Sequence, residues 1–235
     1  MCFLVLFKVK VCYFMQINEI RRKFMIVMFA SQKGGCGKST TAVNLCAYLA
    51  QQGKDVILVD SDRQGTASNW IIDREEKKTL HPVKNIQKYE NIHSTLLDLK
   101  PRYEYVVVDS PGRDSKEMRT GMTATDLLII PMRCSQPDLD TLPKMIEVIE
   151  QAKTFNPVMS AFAVLTMAPT NPSMNEIQEA KEYSCEYKEL PLLESIIFDR
   201  KVYRDSMASG FGVTELNNKR AKEEITDFAK EVLNA

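Results

Sequence analysis

The chain has 235 residues, 44% hydrophobic and 26% charged, with 31 Lys and Arg balanced by 31 Asp and Glu. That length supports one sizeable core and is too short for two comfortable ones. The zero net charge excludes a wholesale nucleic-acid coat and leaves only local basic patches for such a role.

At the start of the chain, Met1 to Met15 is apolar but interrupted by Lys8 and Lys10. The stretch is too short and too charged to span a bilayer, and its charges are misplaced for a secretory signal. Arg21, Arg22 and Lys23 follow, and the first convincing strand begins at Met25. Residues 1–24 are read as an upstream extension outside the functional protein, with an added edge strand, an arm or a membrane anchor as the other readings. The domain itself is expected over 25–235.

From Met25 onward, β-branched runs alternate with helical stretches, the pattern of a parallel sheet with crossover helices. Ile26 to Ala30 reads as a buried strand running into a glycine-rich turn. Ala42, Leu45, Cys46 and Leu49 recur at helical spacing until Gly53 stops the helix. Val56 to Val59 is a second strand ending on Asp60, and a helix is expected from Thr66 to about Lys77. A weak strand near Val83–Ile86 and a short helix near Ile92–Leu99 come next. Tyr105 to Val108 is a strong strand ending on Asp109. Leu127–Ile130 and Ala161–Leu165 are further buried strands, joined by a helix that carries Leu142, Ile146 and Ile149 on one side. A last strand around Leu192–Ile197 and two helices complete an α/β fold of one domain, its mostly parallel twisted sheet flanked by helices.

Six cysteines (Cys2, Cys12, Cys36, Cys46, Cys134 and Cys185) form no CxxC pair and no zinc-like cluster. Reduced thiols in a cytoplasmic compartment are the simplest expectation.

The strongest motif is Lys33-Gly34-Gly35-Cys36-Gly37-Lys38-Ser39-Thr40, set between a strand and an amphipathic helix. Such a loop gathers backbone N–H groups and the positive end of a helix dipole around one concavity, which suits phosphate. Lys38 would reach the β- and γ-phosphates, Ser39 would take a place on Mg²⁺, and Thr40 would meet the α-phosphate. Gly34, Gly35 and Gly37 let the backbone approach the anion. Asp109, at a strand end in Val106-Val107-Val108-Asp109-Ser110-Pro111-Gly112, would hold Mg²⁺ through a water, and Gly112 would free the following loop to respond to the γ-phosphate.

The string KGGxGK[ST], with Lys33 where an ordinary phosphate loop has no lysine, resembles the ParA/MinD family of P-loop ATPases. The resemblance covers roughly residues 25 to 235, strongly in the first half. It implies ATP and Mg²⁺, and a homodimer in which Lys33 reaches across to the partner's nucleotide. Asp60-Ser61-Asp62-Arg63-Gln64 resembles the family's D-x-D-P-Q segment, which places Asp60 near the metal and gives Asp62 the attacking water. Arg63 stands where the family has proline; it loosens the loop's backbone restraint and brings a positive charge near the site. Asn171, in a loop after the Ala161–Leu165 strand, is the candidate for reading the adenine edge; an ordinary Asn-Pro turn is the competing reading.

Late basic residues, Arg200, Lys201 and Arg204 with Lys219 and Arg220, are similar to a nonspecific DNA surface in ParA proteins; a solvated helix face is the plainer reading. The final helix carries Ile225, Phe228, Ala229, Val232 and Leu233 on one side among acidic residues, so it is expected to dock on the domain and not on a membrane. Taken together, the resemblance implies a nucleoid-associated ATPase of plasmid partition, switched by a small DNA-binding partner protein. A relative that positions a protein cargo, and a nucleotide-dependent regulatory module with little turnover, are the alternatives.

Overall fold

The computed structural model describes residues 24–171 and 174–234. The reading of residues 1–24 as an extension therefore falls, apart from Phe24, outside the described residues. In chain order the elements are β1 (Met25–Phe29), α1 (Lys38–Gln51), β2 (Val56–Asp60), α2 (Thr66–Glu75), β3 (Lys84–Gln87) and α3 (His93–Leu99). They continue with β4 (Tyr105–Asp109), α4 (Lys116–Met122), β5 (Leu127–Met132), α5 (Gln136–Leu139), α6 (Leu142–Lys153) and β6 (Ser160–Ala168). The chain closes with α7 (Glu176–Ser184), β7 (Leu192–Phe198), α8 (Lys201–Met207) and α9 (Lys219–Asn234).

The seven strands form one sheet in the order β3-β2-β4-β1-β5-β6-β7, and every pairing is parallel. An all-parallel sheet needs both faces covered, and the strand residues sort accordingly. Ile26 and Met28 enter one core with residues of α3, α4 and α6. Val27 and Phe29 enter the other, against α1, α2 and α9. The apolar side of α9 docks as expected: Ile225, Phe228, Ala229 and Val232 are fully buried. Its Glu231 carboxylate accepts the edge-strand N–H groups of Glu194 and Ser195 at 2.7 and 2.9 Å, which covers donors that an edge otherwise leaves open.

Connections change side at β1, which lies between β4 and β5. In an open α/β sheet the crevice beyond the carboxyl ends of the strands at such a point is where ligands sit. The register brings Asp109 opposite Asp60 on β2 and opposite Phe29 on β1, so both strand-end carboxylates arrive at one level of that crevice.

Candidate functional site

The loop between β1 and α1 turns on Gly37, whose φ of 85° lies in the left-handed region that a side chain disfavours. Lys38 then opens a 14-residue helix. Its ammonium, 6% exposed, folds back over the loop and donates to the Ser31 hydroxyl at 3.1 Å and the Lys33 carbonyl at 3.3 Å. Ser31 also donates to the Lys33 carbonyl, at 2.6 Å. From β6, the Thr166 hydroxyl ties down the Cys36 carbonyl at 2.6 Å. Cys36 is buried, and its thiol faces Ser31 at 3.1 Å, so it packs inside the loop. Gly34 and Gly35 are exposed, as a surface offered to an anion requires.

Two contacts were not foreseen. Lys33 reaches sideways to Asp138 of α5, at 3.0 Å. Arg133, just past β5, donates to the Gly35 carbonyl. The segment after β5 therefore grips the loop at both a lysine and a glycine.

Gly112 sits where a side chain has no room. A methyl group there would lie 2.7 Å from the Gly34 Cα and 2.9 Å from the Lys38 ammonium. The loop after β4 thus packs directly on the phosphate loop.

Asp109 is fully buried and neither carboxylate oxygen has a hydrogen-bond partner. Burial pushes its pKa up to about 7, opposed by the neighbouring Ser39 hydroxyl and Lys38 ammonium and reinforced by Asp60 and Asp62. A buried carboxylate with no partner is costly unless a cation or a proton satisfies it. Its setting beside Ser39, at the mouth of the phosphate loop, suits Mg²⁺, which takes few protein ligands and keeps water and phosphate oxygens for the rest. Asp60 is differently placed. Its oxygens accept the backbone N–H groups of Asp62 at 3.1 Å and Ser68 at 2.8 Å, so it organises the loop leading into α2. Burial nonetheless raises its pKa.

Asp62 is half-buried and opens a four-residue turn closed by the Gly65 N–H on its carbonyl at 2.9 Å. Its carboxylate accepts the Gln64 N–H at 3.0 Å. Arg63 does not bring its charge into the site. Its guanidinium lies over the Tyr89 ring, 4.8 Å from the centroid, and pairs with Glu90 at 3.1 Å.

A cavity of about 250 Å³ adjoins Gly37, Thr40 and Thr41. Its other walls are Thr166 and Met167 at the end of β6 and Phe198, Asp199, Arg200, Tyr203, Arg204 and Met207 around the end of β7. Asn171 is not among its residues; it lines a separate groove with Met174, Gln178 and Lys181. Met167, on the cavity wall, holds a left-handed φ of 51°.

The late basic residues are largely paired within the chain. Arg200 bonds Glu224 at 2.6 Å, Arg204 bonds Asp199 at 2.7 Å, Lys201 bonds Asp205 at 2.7 Å, and Lys219 approaches Glu223 at 3.9 Å. Arg220 stands at the shared edge of two grooves beside Arg200.

Among the described residues, no helix is long and apolar enough to cross a membrane.

Comparison with known proteins agrees with this geometry. A family model described as the CobQ/CobB/MinD/ParA nucleotide binding domain matches residues 27–210. The maintenance of carboxysome distribution protein A of Halothiobacillus neapolitanus is 31% identical over 90% of this chain and 97% of its own. The sporulation initiation inhibitor protein Soj of Bacillus subtilis is 28% identical over 67% of this chain and 79% of its own. Among solved structures, the MinD cell division protein of Aquifex aeolicus superimposes with a TM-score of 0.73 at 18% identity, covering 90% of this chain and 97% of that one. A Cyanothece McdA–ATP complex superimposes with a TM-score of 0.70 at 17% identity, with the same coverage.

Proposed function

We propose that this chain, which belongs to the CobQ/CobB/MinD/ParA nucleotide-binding family, is an ATP-hydrolysing switch that distributes a protein-built cargo within the cell. The observation that carries the cargo reading is the full-length similarity to a carboxysome-distribution protein, at 31% identity over 97% of that relative. Plasmid or chromosome partition is the second reading, favoured by a shorter match, 27% identical over 62% of this chain, to the chromosome-partitioning ATPase Soj of Thermus thermophilus. A regulatory module with little turnover comes third, because Asp62 and Lys33 both supply groups that hydrolysis uses.

In this reading the Gly34–Thr40 backbone and Lys38 hold the phosphates, and the base enters the cavity between Met167 and Tyr203. Mg²⁺, held by Ser39 and Asp109, would neutralise charge on the β- and γ-phosphate oxygens. Lys38 leaves Ser31 and the Lys33 carbonyl to meet the γ-phosphate. Asp62, half-buried beside Asp109 and Asp60, orients the attacking water. Lys33 leaves Asp138 and reaches a partner protomer's nucleotide, so that dimerisation and hydrolysis are linked. The dimer holds nucleoid DNA through a basic surface that includes Arg220, and a small partner protein stimulates turnover and release.

The test is ATP turnover by the full chain with and without nonspecific duplex DNA across a salt series, with Lys38→Ala as the control. Weak hydrolysis, stimulated by DNA at low salt and abolished by Lys38→Ala, supports the switch. In the native host, deletion of the gene separates the two readings. Clustering of a protein assembly with plasmids stably inherited supports cargo distribution; plasmid loss with assemblies undisturbed supports partition.

A further inference from the structure

Arg63 occupies the second position of the turn Asp62–Gly65, closed by the Gly65 N–H on the Asp62 carbonyl at 2.9 Å. Within the turn the Asp62 carboxylate accepts the Gln64 N–H at 3.0 Å across Arg63, but no proline ring locks the φ of Arg63 itself. Its side chain instead leaves the turn and engages the loop after β3. The guanidinium stacks 4.8 Å from the Tyr89 ring centroid and meets the Glu90 carboxylate at 3.1 Å.

Glu90 is itself anchored in several ways. It holds a left-handed φ of 67°, unusual for a non-glycine residue, so its conformation depends on its contacts. Its backbone N–H donates to the Glu117 carboxylate at 3.0 Å, and its carbonyl accepts from the Thr120 hydroxyl at 3.3 Å. Its other carboxylate oxygen accepts from the Lys116 ammonium at 3.3 Å. Lys116, Glu117 and Thr120 all lie on α4, the helix that follows the Asp109–Ser115 loop. A single glutamate therefore joins the turn carrying Asp62 to the helix that follows Asp109 and Gly112.

We propose that Arg63 is a positioning residue for ATP hydrolysis: through Tyr89 and Glu90 it holds the turn that presents Asp62, doing from outside what a proline would do from within. This rests on the hydrolytic reading of the site given above. An exposed ion pair alone contributes little to stability. Stacking on an aromatic face adds to it, and both act on a turn of four residues whose carboxylate must keep its direction. The arrangement also makes the hold sensitive to any movement of α4, so that the loop after Asp109 and the turn at Asp62 move together.

The experiment compares kcat and KM for ATP in the wild type, Arg63→Ala, Arg63→Pro and Glu90→Gln, with melting temperatures recorded alongside. Arg63→Ala is expected to lower kcat about five- to tenfold with KM changed less than about twofold, because the turn loosens while the phosphate loop is untouched. Arg63→Pro is expected to restore kcat to within about twofold of wild type, since proline fixes the second turn position by its ring. Glu90→Gln should fall between wild type and Arg63→Ala. A kcat for Arg63→Ala equal to wild type, or an Arg63→Pro variant as slow as Arg63→Ala, overturns the proposal while leaving hydrolysis in place. A wild-type chain that does not hydrolyse ATP removes the hydrolytic reading and this inference with it.

Discussion

Lys33 and Asp138 form a 3.0 Å ion pair that joins a lysine 43% exposed to a carboxylate only 5% exposed. Asp138 also accepts from the Ser135 hydroxyl at 2.9 Å, so the carboxylate is fixed and the lysine is the mobile partner. In the proposed dimer Lys33 acts on another protomer's nucleotide, so this pair must break first. Asp138→Asn keeps the hydrogen bond to Ser135 and removes the charge that retains the lysine. The ATP concentration at half-maximal dimerisation should fall about three- to tenfold, read by light scattering or by energy transfer between labelled protomers. Lys33→Ala should abolish the ATP-dependent dimer. An unchanged midpoint in Asp138→Asn would mean that the pair does not restrain Lys33.

Gly112→Ala should weaken nucleotide binding through a collision between two loops. The added methyl group meets the Gly34 Cα at 2.7 Å, its N at 2.9 Å and the Lys38 ammonium at 2.9 Å. Two of these are backbone atoms, which have no rotamer to yield, so the phosphate loop or the loop after β4 must shift. Displacement of a positioned phosphate contact by about 1 Å is enough to cost on the order of a hundredfold in rate. Calorimetric titration with ATP should show at least about tenfold weaker binding. The melting temperature without nucleotide should change by only a few degrees, because Gly112 lies outside both cores.

Asp109 gives a pH dependence whose sign can be worked out. Burial raises its folded-state pKa from the ordinary carboxylate value to about 7, so between about pH 4 and pH 7 the folded chain holds a proton that the unfolded chain has lost. Stability without metal should therefore fall as pH rises through that window and level off above it. Asp109→Asn removes the buried charge, so it should flatten this decline and raise the melting temperature at pH 8 by about 5 °C, a gain on the order of 2 kcal/mol. Mg²⁺ binding runs the other way, since the metal needs the ionised carboxylate. Affinity for Mg²⁺ with ATP should weaken up to about tenfold per pH unit below 7, and Asp109→Asn should abolish the Mg²⁺ dependence.

Local sequence pattern marks the fold and the site where it coincides with tertiary role. The β1 run enters the glycine turn directly, and β2 and β4 each end on an aspartate, so the phosphate loop, Asp60 and Asp109 were legible without a structure. The α4 helix was not, because its seven residues include Gly121 and offer only Met118 and Met122 as an apolar pair. Helix α7 was missed for a similar reason, with Ala180 and Ser184 its only buried residues. The cavity beside Gly37 left no mark in the sequence, because its walls come from two strand ends far apart along the chain. Met167, Phe198, Tyr203 and Met207 also read as ordinary core residues. The hold on Lys33 spans 105 residues and that on Arg63 spans 27, distances at which pairing leaves no trace in periodicity.

The basic residues of the late helices divide into those committed to the fold and those available to a phosphate. Arg200 is 19% exposed and Glu224 9%, and Glu224 also accepts from the Tyr203 hydroxyl at 2.9 Å, so this pair ties β7 to α9. Arg200→Ala leaves a buried carboxylate short of its charge partner and should lower the melting temperature by several degrees, corresponding to about 2–3 kcal/mol. Any loss of DNA binding in that variant would then track unfolding. Arg220 is exposed and carries no ion pair among the described residues. If the proposed DNA surface exists, Arg220→Ala should weaken DNA retention equally for unrelated sequences and reduce the slope of log affinity against log salt by about 1. Its melting temperature should stay at the wild-type value. Retention and slope both unchanged in Arg220→Ala would remove it from that surface. Lys201 and Arg204 would become the next residues to test, since their exposed pairs with Asp205 and Asp199 are weak enough for a phosphate to displace.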